Sequence, residues 1–431
     1  MRVLKVVAAF CLAGVGAVIA CSAGNDKGSG FGTGGSGAGP GQGGSGNLIG
    51  PGGSGGNPMD VGPGGNAQGP CQFADDQDHD GDGYSSVDGD CNDCDPNANP
   101  GAYDVIGGVD GGPGLDEDCS GKADDEPTDC DANIVINDKD GFNGAKAIGL
   151  CRVGVDENAT GKAKTWGVLS ARYVKADGSD GMNPLSHGVV PDFGAAHVQQ
   201  GSSMLVLSSG TARAPGQQAW QSPQGAPMGT KSNPPDGFPI ESPACPGVVT
   251  GDCNDPAALE LRIRVPTNAK SFKFNLNFYT FEFPEYICSQ FNDFFVTLMD
   301  PPPPTAVKGN ISFDQDTNPI SVNNSLLQVC NEQDAPPNPQ DGGVQKHFPC
   351  PLGPGLLDNT GFAAPTNSGP HAATGWLVTS APVTPGSIVT LRFAIWDSGD
   401  EVLDSTVLID NFEWSVDAAT QPITEPVANP K

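Results

Sequence analysis

The sequence predicts a mainly β protein: a jelly-roll-like β-sandwich, preceded by a small acidic, loop-rich segment and a Gly-rich linker. Three observations predict it. Alternation with period two recurs within residues 131–418, as in Leu259-Glu260-Leu261-Arg262-Ile263-Arg264-Val265 and Ser271-Phe272-Lys273-Phe274-Asn275-Leu276-Asn277-Phe278. Such alternation puts one face of a strand in a core and the other in water. Proline and glycine clusters at 301–304, 336–337 and 385–386 separate the apolar runs, as expected of many strands joined by turns. Helical pattern is almost absent: only 143–150 reads as a helix, and a short one. Residues 204–207, 388–395 and 406–409 read as strands buried on both faces, and 419–431 as a frayed tail.

From the beginning of the chain, Arg2 and Lys5 precede an apolar run over 6–20. That run has the length of a signal-peptide core and is too short to span a bilayer, which takes about 20 residues. It ends in Val18-Ile19-Ala20-Cys21, which resembles the lipobox of bacterial lipoproteins. The resemblance implies cleavage after residue 20, acylation of Cys21 and attachment to a membrane; Ser22 next to it implies the outer membrane. Residues 21–70 are mostly Gly, Ser, Pro, Asn and Ala. A segment this poor in apolar surface cannot offset its ordering entropy. It reads as a flexible tether with an r.m.s. span of about 40 Å.

Residues 71–130 are unlike either neighbour. Between Asp75 and Asp129 there are 18 acidic residues and one basic residue, Lys122. The whole chain carries a formal charge of −30, which repels nucleic acid and attracts cations. Within this segment Asp78-His79-Asp80-Gly81-Asp82-Gly83-Tyr84 has the head of an EF-hand-type loop. Carboxylates stand at positions 1, 3 and 5, glycine at 6 and a backbone carbonyl, that of Tyr84, at 7. Ca²⁺ takes about six to eight oxygens, and alternate side chains of a tight loop converge on one point. Position 12 is Gly89, so the EF-hand pattern fails there, and Asp88 or Asp90 is expected to close the shell. The histidines show no ligand spacing, which disfavours zinc.

The larger pattern resembles a metal-binding motif family of bacterial surface proteins. The matching pieces are the 78–84 loop, Asp90-Cys91-Asn92-Asp93, Asn99-Pro100-Gly101-Ala102 and Asp116-Glu117-Asp118-Cys119-Ser120-Gly121. It implies a cation site drawing on Asp78, Asp80, Asp82, Tyr84, Asp88, Asp90 and Asp93. The family's cysteine after Asn-Pro-Gly-Ala is missing, and Cys94 is the expected substitute as a disulfide partner.

In the β region, Leu205-Val206-Leu207-Ser208-Ser209-Gly210-Thr211, Phe278-Tyr279-Thr280-Phe281-Glu282-Phe283-Pro284-Glu285-Tyr286 with Phe291-Asn292-Asp293-Phe294-Phe295, and Ala394-Ile395-Trp396-Asp397-Ser398-Gly399-Asp400 with Asp404-Ser405 resemble the choice-of-anchor L domain of bacterial surface proteins. The resemblance implies a β-rich, surface-displayed domain with binding or adhesive roles, and carries over no general activity. Glu282, Glu285, Asp293, Asp397, Asp400 and Asp404 fall at strand ends or in loops, where carboxylates often coordinate Ca²⁺ and stiffen the loops; they are candidate ligands of a second metal site, the alternative being that they cap turns and solvate strand ends. The dense phenylalanines read as core, and the tryptophans as core or as a sugar-stacking platform.

Eleven cysteines remain after Cys11 and Cys21, so at least one is unpaired. Proximity in sequence pairs Cys130 with Cys151, Cys245 with Cys253, and Cys330 with Cys350, though spacing leaves connectivity open; Cys288 is the expected odd one. The leading functional expectation is a lipid-anchored, calcium-stabilised binding or adhesion module of the cell envelope, with a glycan or a surface protein as partner. The alternatives are a structural spacer and a glycan hydrolase using Glu282 and Asp397 as acid and base.

Overall fold

Alternating apolar side chains give this chain its strands, and the strands pair into two antiparallel sheets packed face to face. The computed structural model describes residues 71–107, 114–126, 129–225, 227–248, 250–323, 326–334, 346–363 and 371–431; these lie in one compact unit, Asn66–Lys431. The expected signal peptide, Cys21 and the expected linker lie outside the described residues.

In chain order the strands are β1 (Gly167–Val174), β2 (His187–Val190), β3 (Asp192–Phe193), β4 (Ala196–His197), β5 (Met204–Ser208), β6 (Cys253–Arg264), β7 (Ser271–Thr280) and β8 (Phe294–Asp300). There follow β9 (Ile320–Ser321), β10 (Gln333–Asp334), β11 (His347–Phe348), β12 (Ala372–Ala373), β13 (Leu377–Pro382), β14 (Ile388–Ser398), β15 (Ser405–Ser415) and β16 (Ile423–Pro426). One sheet runs β1-β6-β14-β8-β9; the other runs β16-β13-β7-β15-β5-β2, with β12 beside β7. The chain changes sheet between β1 and β2, β5 and β6, β6 and β7, β7 and β8, β9 and β12, β13 and β14, and β14 and β15, in the jelly-roll manner.

The inner faces meet in one core. Leu259, Leu261 and Ile263 of β6 and Leu391, Phe393 and Ile395 of β14 share it with Phe274, Leu276 and Phe278 of β7 and Val407 and Ile409 of β15. Each such side chain contributes roughly 1.5–3 kcal/mol by leaving water. The expected helix is α1 (Gly141–Ala147), two residues ahead of its predicted start. Its N-cap Asp140 accepts the Phe142 N–H at 3.0 Å, the ordinary capping geometry.

Both sheets are also covered from outside. Val206 of β5, Tyr279 of β7 and Leu408 of β15 join Phe193, Leu357, Phe362 and Trp376 in a second cluster. Ala258, Phe294, Val296 and Trp396 join Phe238 in a third. The alternation of β7 is therefore wet only at Lys273, while Asn275 and Asn277 are buried. Trp166, Trp376 and Trp396 are buried too, which removes them from any sugar-stacking platform.

Two expectations are corrected here. Cys245 pairs with Cys288, Cα to Cα 5.2 Å, and the free cysteine is the buried Cys253. Cys253 opens β6, whose extended backbone carries it away from Cys245 and into the cluster with Phe294 and Trp396. The stretch read as a tail holds β16, whose Ile423–Pro426 backbone pairs with β13. The Cys130–Cys151 and Cys330–Cys350 bridges are formed as expected, and Cys94 pairs with Cys71. With Cys91–Cys119 the described residues hold five disulfides, which mark an oxidising, extracytoplasmic compartment.

The acidic segment is docked on the sandwich. Tyr84 is 1% exposed, and its hydroxyl donates to the Lys164 carbonyl at 2.5 Å. Gly101 leaves room for that ring: a Cβ there would lie 2.4 Å from the hydroxyl oxygen. Asn268 donates to the Tyr103 carbonyl and accepts its N–H. Arg152 forms ion pairs with Asp118 at 2.8 Å and Glu126 at 3.3 Å.

Candidate metal centre

The 78–84 loop is shaped by its own carboxylates. Asp78 accepts the N–H groups of Gly81 at 2.6 Å and Gly83 at 2.8 Å, one on each oxygen. Asp80 Oδ1 accepts from the Asp82 N–H, Asp82 Oδ1 from Tyr84 and Asp90 Oδ1 from Asn92. Gly81 and Gly83 have φ of +87° and +96°, a region that suits glycine. Each of Asp80, Asp82 and Asp90 is thus held by one oxygen. The Oδ2 atom of each is buried with no hydrogen-bond partner.

The three carboxylates offer oxygens that all lie within 4.8 Å of one another, and Asp78, Asp80 and Asp93 form a second such set. Asp80 belongs to both. Asp93 is oriented by the His79 N–H, 2.8 Å from its Oδ1. Asp88 instead accepts the Ser85 hydroxyl at 2.9 Å and joins neither set, so Asp90 is the one that closes the shell. The tyrosine expected to supply a carbonyl also anchors the loop through its ring.

Burial pushes Asp82 up to about 7 and Asp90 up to about 6, and it raises Asp80 as well. Neighbouring carboxylates add to the rise, against the backbone hydrogen bonds that oppose it. Gathered carboxylates with unpaired buried oxygens could hold a cation. The donor set is all oxygen, which suits a hard cation such as Ca²⁺.

A third set, Asp104, Asp118 and Asp125, was not anticipated as ligands. Here Asp116 Oδ2 accepts the Gly121 N–H, Asp118 Oδ1 that of Ser120, and Ser120 Oγ that of Lys122. This repeats the bonding of the 78–84 loop, and the Asp-x-Asp-x-Ser-Gly spacing was the signal for it. Arg152 already pairs with Asp118, so this set is partly neutralised. Asp90 with Cys91 and Cys119 also lies close together, but those sulfurs are joined in a disulfide.

The carboxylates of the β domain gather at one end of the sandwich. Glu282 follows β7, Asp293 precedes β8, Asp397 is near the end of β14, and Asp404 precedes β15. Their exposures are 1%, 0%, 1% and 6%. Asp293 accepts the Ser398 N–H at 3.0 Å and the Ser405 hydroxyl at 2.6 Å. Burial raises all four, Asp293 to about 7 and Asp397 to about 11. Glu285 and Asp400 are only half-buried. Among the described residues, every set of three ligand atoms within 4.8 Å of one another lies in the acidic segment.

Residues 194–413 match the family described as the Choice-of-anchor L domain. No curated protein and no solved structure matches the chain. The matched stretch takes in strands of both sheets and all four buried carboxylates. Spanning half of the sequence, the match shows that the chain belongs to the choice-of-anchor L domain family.

Proposed function

We propose that this chain is a cation-stabilised, non-catalytic module of the cell envelope, tethered by lipid on Cys21 and displaying its choice-of-anchor L domain for binding or adhesion. The observation that carries the cation part is the trio of buried, unpartnered oxygens on Asp80, Asp82 and Asp90. Calcium is the ion of choice for such an oxygen cage. A glycan or a surface protein is the proposed partner.

A glycan hydrolase is disfavoured by burial. At 1% exposure, Glu282 and Asp397 are out of reach of a sugar. The spacer reading draws support from the docked acidic segment, whose Cys130–Cys151 bridge and Arg152 ion pairs make a stiff joint.

The test is thermal unfolding with and without chelator. An ion present at about 100 times its Kd stabilises by about 2.7 kcal/mol, equivalent to several degrees in Tm. EDTA should lower Tm by that amount and added Ca²⁺ should restore it. A whole-cell and glycan-array binding screen, run in Ca²⁺ and in EDTA, tests the display function. Indifference of the melting curve to chelation would refute the cation role, and no binding in either condition would leave the spacer reading.

A further inference from the structure

Strand order brings together residues more than a hundred positions apart. Glu282 and Asp404 flank β7 and β15 of one sheet, while Asp293 and Asp397 belong to β8 and β14 of the other. Asp293 already bridges the sheets, accepting from Ser398 on β14 and Ser405 on β15. All four carboxylates are at least nine-tenths buried. The strongest charges acting on Glu282 and Asp397 are those of other carboxylates.

Such a gathering is costly unless something neutralises it. Glu282 Oε2 and Asp397 Oδ1 are both buried without a hydrogen-bond donor. Asn254 stands opposite Asp397 in the β6–β14 register, and its side-chain carbonyl oxygen is also buried and unpartnered. Three oxygen groups without partners at one end of the sandwich, two of them on carboxylates, are what a hard divalent cation satisfies.

We infer that the choice-of-anchor L domain carries a divalent-cation site of its own, built by Glu282, Asp293, Asp397 and Asp404 with the Asn254 carbonyl, which staples the two sheets together at one end. It is separate from the loop of Asp80, Asp82 and Asp90. Asp293 is fixed by its two hydrogen bonds, and the free oxygens of Glu282 and Asp397 close on the ion by side-chain rotation. Glu285 and Asp400, half-buried, line the approach.

Bound Ca²⁺ per full-length chain is counted by equilibrium dialysis, and Tb³⁺ emission is excited through tryptophan. In a background with Asp82→Asn and Asp90→Asn, which disables the loop, at least one ion should remain. Tb³⁺ emission should persist there and fall with Trp396→Phe, because Trp396 adjoins Asp397. Adding Glu282→Gln and Asp397→Asn should weaken that ion's binding at least tenfold. The same pair of amides in the otherwise native chain should leave the loop ion in place. In EDTA the amide pair should melt above the native chain, because it removes uncompensated buried charge. If it does not fold, Asp397→Asn alone carries the same expectations. Unchanged ion count and affinity in the amide variants would overturn the site, whatever the loop does. Loss of every ion in the loop variant would overturn it as well.

Discussion

His187 shows how one buried side chain limits the pH range of the fold. It lies on β2, 2% exposed, stacked on Tyr173 at 3.9 Å. Its Nε2 bonds the Asp138 carbonyl at 2.8 Å, and its Nδ1 has no partner. Burial lowers its pKa from 6.5 to about 4. A lowered folded-state pKa means that the stabilising contribution is complete above about 6.5 and is lost as pH falls towards 4. The loss is about 3 kcal/mol over that interval. Urea titrations from pH 7 to 4 should show this slope, and His187→Gln should flatten it; equal slopes in both proteins would dismiss the effect. At this scale the acidic loop was legible because its ligand spacing is local. The Cys245–Cys288 bridge was not, since it depends on where two loops meet.

The docked acidic segment hangs on a small number of contacts, and Tyr84 is the largest. Truncating a buried aromatic to alanine costs about 3–5 kcal/mol. Tyr84→Ala should therefore release the segment locally, seen as rapid proteolytic cleavage between 84 and 130 with the sandwich left intact. Equal protease resistance of variant and native chain would show that the disulfides alone hold it. Strand existence was legible from alternation, and β6 and β7 fall where it predicted them. The burial of Asn275 and Asn277 was not legible. Their outer face is covered by loop residues such as Phe362 and Leu357, which carry no periodic signal. The short β16 was hidden for a similar reason: Ile423-Thr424-Glu425-Pro426 has too few apolar residues to announce a strand, and only pairing with β13 makes it one.

Across the whole molecule, protons and cations compete for the same oxygens. Without a cation, burial raises Asp82 to about 7 and Asp90 to about 6. Raised folded-state values mean that their contribution is full below about 4 and is lost as pH rises through 6 and 7. Calcium replaces what deprotonation removes. The gain in Tm on adding Ca²⁺ should thus be small at pH 5 and largest near pH 8, and a gain independent of pH would contradict this coupling. The sandwich as a class was legible in the sequence. The approach of Glu282 to Asp397 needed strand order, which no local pattern encodes.

The Cys71–Cys94 and Cys91–Cys119 bridges interlock in sequence and tie together a stretch with little apolar surface of its own. A polypeptide fastened in part by oxidation lacks those fastenings while its thiols are kept reduced. In a reducing compartment this stretch therefore lacks two of the links that hold its shape. Its full shape thus depends on the redox state of its surroundings, a dependence written into the placement of four sulfur atoms.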